Sequence, residues 1–598
     1  MPSYNAPVRD MLFVMYDVLN MDAYKDLEGF GEATPDVVSA ILDEGAKITQ
    51  EVLQPINLSG DEEGCHLAKN GVVTPPKGFK EAYQQYIEGG WGGLTGDPEY
   101  GGQGLPYVLG VAMNEMCCSA NFGFSMYPGL THGAIDAIEQ HGSKEQQEAY
   151  LPKLISGEWS GTMNLTEAQA GTDLALLRTK AVPQPDGAYL VNGTKIFISA
   201  GDHDMAENII HLVLARLPEA PSGTQGISLF IVPKMLVNPD GSLGATNKVS
   251  CTRLEEKLGI HSNATCVINF DDSIGYLVGE LNKGLRAMFT MMNTARLGVA
   301  VQGYSMSEVA YQNAVAYTKE RLQMRALTGP KAPDKPADPI IVHPDIRRML
   351  LTTRAFTEGA RAVAYWTALQ VDLARKHPDA AERQKAEDRL GLLTPVAKAY
   401  FTDMGFDTSN LCLQCFGGHG YIREWGMEQF TRDARIAMIY EGANGIQALD
   451  LVGRKLPANK GRALMEVFFP EIGGFCEQAV EDPELAPFAK PVLAALEQLV
   501  EAGGWLMENG MKNPDHVGAG ATNYLYIMAL TTLGYMWVRM VKAAKAKLAA
   551  GEGDPQFYNT KLVLAKFFVE RMLPDTAAHL AKLKGGADTL MALPAEAF

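Results

Sequence analysis

The stretch RDARIAMIYEGANGIQ, Arg432 to Gln447, carries an apolar run to Ile439-Tyr440 and then sets down one carboxylate, Glu441, before Gly442. Gly445 keeps the chain loose until Ile446 resumes the apolar pattern. A glycine-rich turn frees the backbone for close approach of a substrate. An apolar wall strips water from a carboxylate and raises its basicity. Glu441 is therefore read as a general base. A solvated glutamate at a helix end would look the same in isolation, so the reading is decided by the rest of the chain.

The chain has 598 residues, too many for one compact core, so several domains are expected. Its 46% hydrophobic and 20% charged content is that of an ordinary globular protein. A net charge of −18 argues against a nucleic-acid partner, because a polyanion would be repelled. Eight cysteines are too few for a disulfide scaffold, which favours a reduced, intracellular protein. The opening MPSYNAPVRDMLFVMYDVLNM lacks a basic leader, and Asp10 and Asp17 break its apolar run, so no secretory signal is expected. The nearest approach to a membrane span, Tyr524 to Val538, is short and carries Thr531 and Thr532. A cytoplasmic protein without stable membrane insertion is expected.

In order, the pattern predicts an N-terminal arm (1–36), a helical domain (37–157), a middle β domain (158–283), a helical bundle carrying Glu441 (284–462) and an extra helical domain (463–598). Pro35 suits the first position of a helix, and Val37, Val38, Ile41 and Leu42 follow at helical spacing. Residues 96–104 are punctuated by Gly and Pro and read as a loop; helical periodicity returns through Tyr107–Cys118 and Gly133–Leu154. In the β domain, Asn192-Gly193 between two apolar runs predicts a hairpin turn. Residues 328–344 carry five prolines and read as a loop or short excursion; the last block breaks at Gly503-Gly504, Pro514 and Gly551. This order is not an alternation of β and α units, and no GxGxxG follows a strand. A doubly wound nucleotide fold is disfavoured.

Four further segments hold groups that suit a flat heterocyclic cofactor. Met163–Asp173 gathers hydroxyls, small residues and free backbone; a surface loop would show the same composition. In Lys195–Gly201, Phe197 and Ser199 lie two apart on a strand and share a face, although a core Phe is the plainer reading. Gln414–Tyr421 contains Gly417-Gly418, where a backbone can approach a pyrophosphate; it is otherwise a turn. Arg296 and Arg321 can grip a carboxylate or phosphate, or form surface ion pairs. Cys412 and Cys415 form a CxxC without a second pair, so no metal site is expected.

Together these segments resemble the acyl-CoA dehydrogenases. LTEAQAGTD is similar to that family's TEPGAGSD segment, KIFIS to its K-W-I-T strand, and KLGIHSNAT to its K-G-x-x-x-S-x-T stretch. QCFGGHGY is similar to its Q-x-x-G-G-x-G segment and IYEGANGIQ to its I-Y-E-G-T-x-x-I-Q segment. The resemblance covers about residues 40 to 455 and implies a mainly α fold with a central β-barrel-like domain, a C-terminal four-helix bundle and, here, an extra helical domain.

It also implies FAD chemistry on an acyl-CoA. Glu441 would take the α-proton and the flavin N5 the β-hydride, leaving a trans-2-enoyl-CoA. The Glu441 N–H and a flavin ribityl hydroxyl would hold the thioester oxygen. Arg296 would lie near the catalytic carboxylate. Leu165, Thr166, Gly171, Thr172, Phe197 and Ser199 would surround the flavin. Arg321, Met324, Gln414, Gly417 and Gly418 would reach the adenine end of a neighbouring subunit's FAD, which implies a homo-oligomer, with a dimer expected.

The chain departs from the family's pattern at three places. Ala168-Gln169 replaces Pro-Gly, Phe197 replaces Trp, and Ala443 stands near the FAD in place of Thr. The long arm, the excursion and the tail are similar to the bacterial members of the family that oxidise 3-(methylthio)propionyl-CoA in sulfoniopropionate catabolism. An electron-transferring flavoprotein is the expected acceptor. A medium- or short-chain fatty acyl-CoA dehydrogenase, an acyl-CoA oxidase and a catalytically idle acyl-CoA-binding scaffold are the alternatives.

Overall fold

The computed structural model describes residues 2–598; Met1 of the expected arm and the Asn293 side chain lie outside the description. The arm holds α1 (Val8–Leu12), continued as a π turn over Phe13–Val18. α2 (Pro35–Ile48) begins on Pro35, where the missing N–H costs nothing. After α3 (Asn57–Glu63) comes a small hairpin, β1 (His66–Leu67) and β2 (Val73–Thr74), which the helical reading of 37–157 leaves out. Then follow α4 (Phe79–Glu88), α5 (Tyr107–Ala120), α6 (Phe122–His141) and α7 (Lys144–Ser156). The expected single run Gly133–Leu154 is thus divided. Ser143 accepts the Gln146 N–H and gives its own N–H to the Gln146 side chain, a capping box that starts a new helix.

The strands are β3 (Trp159–Asn164), β4 (Lys180–Pro183), β5 (Tyr189–Ser199), β6 (Asn208–Arg216), β7 (Ile227–Pro233), β8 (Met235–Val237), β9 (Leu243–Thr246), β10 (Val249–Leu254) and β11 (Thr265–Val278). Helices return as α8 (Gly284–Glu320), α9 (Pro344–Lys376), α10 (Ala380–Cys415), α11 (Met427–Ala434) and α12 (Asn444–Asp450). The tail contributes α13 (Phe469–Val480), α14 (Ala486–Gly510), α15 (Asp515–Ala550), α16 (Pro555–Arg571) and α17 (Asp575–Lys584). The fold is mainly α with a central sheet.

The chain forms two compact units, one of Glu44–Gly298 and one of Met1–Asp43 with Val299–Phe598. In the first, β11, β5, β4, β6 and β7 pair in turn and β7 pairs back onto β11, so five strands close as a barrel. β10 extends it beside β11, and β3 joins β6 in parallel. Alternate residues of β6 serve two cores. Val213 and Ala215 join Ile198, Phe230 and Ile268 in one cluster. Ile210, Leu212 and Leu214 join Ile138 of α6, Leu151 of α7 and Trp159 in the other.

The expected hairpin at Asn192-Gly193 is absent, because β5 runs straight through it. A Cβ on Gly193 would lie 2.4 Å from the Thr179 hydroxyl, so this glycine permits close approach by the chain entering β4 rather than a reversal.

In the second unit, Pro514 and Gly551 bound α15 as expected, but Gly503-Gly504 lie inside an unbroken α14. α14 packs along α15, with Gly503 against the Tyr524 ring, and that tertiary cover outweighs the helix penalty of two glycines. The apolar stretch Tyr524–Val538 is the buried centre of α15. Among the described residues no helix is long and apolar enough to cross a membrane.

A buried ion cluster ties the arm to the bundle and the tail. Arg361 of α9 meets Asp10 at 2.5 Å and Glu308 of α8 at 2.7 Å. Lys561 of α16 bonds Asp10 as well and reaches Glu358 at 2.5 Å; Arg354 meets Glu358 at 2.6 Å. Arg361 and Lys561 are no more than 1% exposed. Lys561→Met should therefore leave three buried carboxylates facing two cations, with Asp10 and Glu358 each one partner short, and cost about 3–5 kcal/mol. Differential scanning calorimetry should show the first transition well below that of the wild type; an unmoved transition would contradict a structural role for the cluster.

Candidate active site

Glu441 follows a 3₁₀ turn, Arg435–Met438, and precedes α12. Its backbone is left-handed at φ 55°, a conformation of order 1–3 kcal/mol above the usual wells for a non-glycine residue. Side chains drawn from α10 and α12 hold it there. Gln447, fully buried, donates to the carbonyls of Glu441 (3.0 Å) and Gly442 (3.2 Å). Lys398, also fully buried, donates to the Gly442 carbonyl and to Asn444 Oδ1, both at 2.8 Å. The Asn444 amide donates to the Ala399 carbonyl, Thr402 Oγ1 and Asp403 Oδ1. Just before Glu441, Tyr440 donates to Gln302 at 2.5 Å. No local motif in the sequence marks Lys398, Asn444 and Gln447 for this support. Ala443 caps the start of α12 without a side-chain bond.

Gln414, Gly417 and Gly418 sit at the far end of α10. Gln414 is sixteen residues beyond Lys398, roughly 24 Å at 1.5 Å per residue. Arg321 and Met324 are brought close to them: Tyr317, one turn before Arg321, stacks on Phe416 with centroids 4.1 Å apart and bonds His419 at 2.9 Å. The proline-rich excursion is ordered against the same stretch. The fully buried Asp338 accepts the N–H groups of Ala326, Lys331 and Ala332 and pairs with Arg325 at 3.2 Å. Met324 is 77% exposed at φ 60°. Cys412 and Cys415 are both buried, and among the described residues no cluster of His, Cys, Asp and Glu could hold a metal.

In the other unit, Leu165 and Thr166 lie between β3 and β5, held by a buried ion pair that the sequence reading left unassigned. Glu167 accepts from Lys195 Nζ (2.9 Å), Thr179 Oγ1 (2.6 Å) and the N–H groups of Arg178 and Thr179. Lys195 also donates to the Leu165 carbonyl, and the Ile196 N–H to the Thr166 carbonyl. Burial alone would raise the Glu167 carboxyl, but Lys195 and the Thr179 hydroxyl outweigh it and hold it down to about 2. Gly171 and Thr172 are exposed at the rim of this loop.

Phe197, 59% exposed at φ 60°, stands out from a bulge where Lys195 pairs with Ile268 but Ile198 with Cys266. The bulge interrupts the pleat, so spacing alone no longer gives Phe197 and Ser199 a shared face. Arg296, on α8 of this unit, is buried. A cavity of about 20 Å³, lined by Trp91, Met113, Cys117, Ser125 and His132 among others, lies where α5 and α6 meet. Thr131, beside His132, accepts the Gly161 N–H of β3, the strand that leads into the Leu165–Thr172 loop.

These surfaces fit FAD. An exposed ring on strained backbone stands next to a loop fixed from beneath, and a Cβ at Gly417 or Gly418 would meet nothing within 4 Å, leaving room for a bound group. Glu167→Gln should leave Lys195 buried without its counter-charge, lower the melting temperature and reduce FAD content, read as the ratio of flavin to protein absorbance. Because the Glu167 carboxyl titrates low when folded, the stability gap between wild type and variant should be full above about pH 4.3. It should narrow as pH falls toward about 2. A gap independent of pH would count against the pair.

Family models describing the acyl-CoA dehydrogenase N-terminal, middle and C-terminal domains match residues 40–158, 162–273 and 282–456. A model described as acetyl-CoA dehydrogenase C-terminal like matches 468–594. The chain is 42% identical to 3-methylmercaptopropionyl-CoA dehydrogenase of Ruegeria pomeroyi, over 98% of this chain and 99% of that protein. It is 36% identical to a butyryl-CoA dehydrogenase of Syntrophomonas wolfei, over 100% and 99%. The solved acyl-CoA dehydrogenase of Bacillus anthracis complexed with FAD shares its fold, with a TM-score of 0.73 at 21% identity over 91% of this chain and 88% of that one. The chain belongs to the acyl-CoA dehydrogenase family and is an FAD-dependent oxidoreductase.

Proposed function

We propose that the protein oxidises 3-(methylthio)propionyl-CoA to methylthioacryloyl-CoA, with Glu441 as the base, as a cytoplasmic homodimer that passes electrons to an electron-transferring flavoprotein. Bound FAD supplies the hydride acceptor. Glu441 removes the α-proton, and its strained, clamped backbone fixes where that carboxylate meets carbon. The Glu441 N–H, held in the same turn, faces the thioester oxygen and stabilises the enolate-like charge. Leu165, Thr166, Gly171, Thr172, Phe197 and Ser199 hold the flavin end. Arg321, Met324, Gln414, Gly417 and Gly418, with Gln414 roughly 24 Å along α10 from the base support, hold the adenine end of a second copy's FAD; that separation supports the dimer.

The observation that carries the substrate is the end-to-end likeness to the Ruegeria protein, which runs through arm and tail. The Syntrophomonas relative favours a second reading, a short fatty acyl-CoA.

Anaerobic titration of the yellow protein with 3-(methylthio)propionyl-, butyryl- and octanoyl-CoA should bleach the flavin with the highest kcat/KM for the first. A preference for butyryl-CoA would overturn that substrate. In stopped flow, reoxidation by an electron-transferring flavoprotein should outpace oxygen; the reverse order would mean an oxidase. Glu441→Gln should keep its FAD and bind ligand, but lose flavin reduction by about 10²–10⁴-fold, the usual share of a general base. Retained reduction would move the base elsewhere.

A further inference from the structure

The tail reaches the machinery that holds the base loop. We propose that Tyr526, on α15, is a positioning residue for Glu441, a role that rests on reading Glu441 as the base. Its hydroxyl donates to Asp403 Oδ2 at 2.5 Å. The other oxygen of that carboxylate accepts from Asn444 Nδ2 at 2.7 Å, the shortest of the three bonds that amide makes. Asn444 Oδ1 in turn accepts from Lys398, which also grips the Gly442 carbonyl. An unbroken path of hydrogen bonds therefore runs from a tail helix through Asp403 and Asn444 to the residue beside the base.

The geometry gives the hydroxyl a specific task. A carboxylate rotates about its bond to the side chain unless both oxygens are engaged. Tyr526 engages one, so the other is presented to Asn444 in a fixed direction. The ring is itself fixed, edge-on to Tyr400 at 5.1 Å and to His579 at 5.0 Å, and His579 Nδ1 lies 3.0 Å from Asn523 Oδ1. α12, which begins at Asn444, packs on α15, so tail and base loop share one packed contact as well as a bond. Asn444 is three residues past a base held in left-handed backbone. Freeing Asp403 lets Asn444 settle on Ala399 and Thr402 alone and releases the turn by a fraction of an ångström. Misplacement of about 1 Å at a reacting group can cost on the order of 10²-fold.

Tyr526→Phe keeps the ring and removes the hydroxyl. We expect it to lower the rate constant of anaerobic flavin reduction at saturating butyryl-CoA about 5- to 50-fold. FAD content, acyl-CoA affinity and melting temperature should stay close to those of Tyr524→Phe. Tyr524 lies on the same helix, fully buried, and its hydroxyl has no hydrogen-bond partner among the described residues. In an Asp403→Ala background, Tyr526→Phe should have no further effect, since the path is already cut.

A full rate per bound flavin in Tyr526→Phe, or a loss confined to FAD content or melting temperature, overturns the proposal. So do additive losses in the double variant. Glu441→Gln measured alongside separates the two readings. If it still reduces flavin, the base assignment fails. If it is inert while Tyr526→Phe is unimpaired, only the positioning role fails.

Discussion

Lys398 meets the carbonyl of Gly442, and the chemistry proposed for Glu441 depends on that contact. A glutamate in left-handed backbone stands of order 1–3 kcal/mol above its preferred conformations. A hydrogen bond from a charged donor contributes about 1.5–3 kcal/mol, and Lys398 makes two, to Gly442 and Asn444. Gln447 adds two neutral ones. The clamp therefore exceeds the strain, and the turn is held in its left-handed conformation. Lys398 and Gln447 are wholly buried, so water does not compete for these bonds in the folded chain.

The same unit solves a second problem, that of keeping an arm and a long tail on the bundle. Three carboxylates, Asp10, Glu308 and Glu358, face three cations, Arg354, Arg361 and Lys561. Burial works against the Asp10 charge, but Lys561 and Arg361 more than compensate and hold its carboxyl below the usual range. Balanced and hydrogen-bonded, such a cluster need not add much net stability, yet it strongly disfavours any arrangement that leaves a member out. Asp17 repeats the pattern at the surface, 3.2 Å from Lys547 of α15. The two aspartates that break the apolar run of the opening stretch are thus its anchors to the tail.

What could be read in the sequence follows from how local each feature is. Glu441 and its turn are written in adjacent residues, and the long helices in their spacing. The clamp is not, because Lys398 and Gly442 lie 44 positions apart and Asp403 and Tyr526 123. Glu167 and Lys195 were visible only as letters in two motifs; their pairing across 28 positions is what makes one surface of them. Asn192-Gly193 misled because a strand glycine serving a close neighbour has the same local signature as a turn. Gly503-Gly504 misled because tertiary packing against α15 can outweigh a local preference against helix.

Strain and exposure offer a reading of the site that uses neither motif nor likeness. Ten non-glycine residues adopt left-handed backbone among those described, and Phe197, Met324 and Glu441 are three of them. Phe197 and Met324 also turn large apolar side chains to solvent. Exposed apolar surface forgoes about 25 cal/mol for each Å² that burial would have removed from water. A free chain has no reason to combine that loss with backbone strain at the same residue. Both costs make sense where a bound group covers the side chain and requires its direction. On this argument the physics of the polypeptide itself singles out Phe197 and Met324 as places for a bound group, where the proposed function puts the two ends of a flavin cofactor.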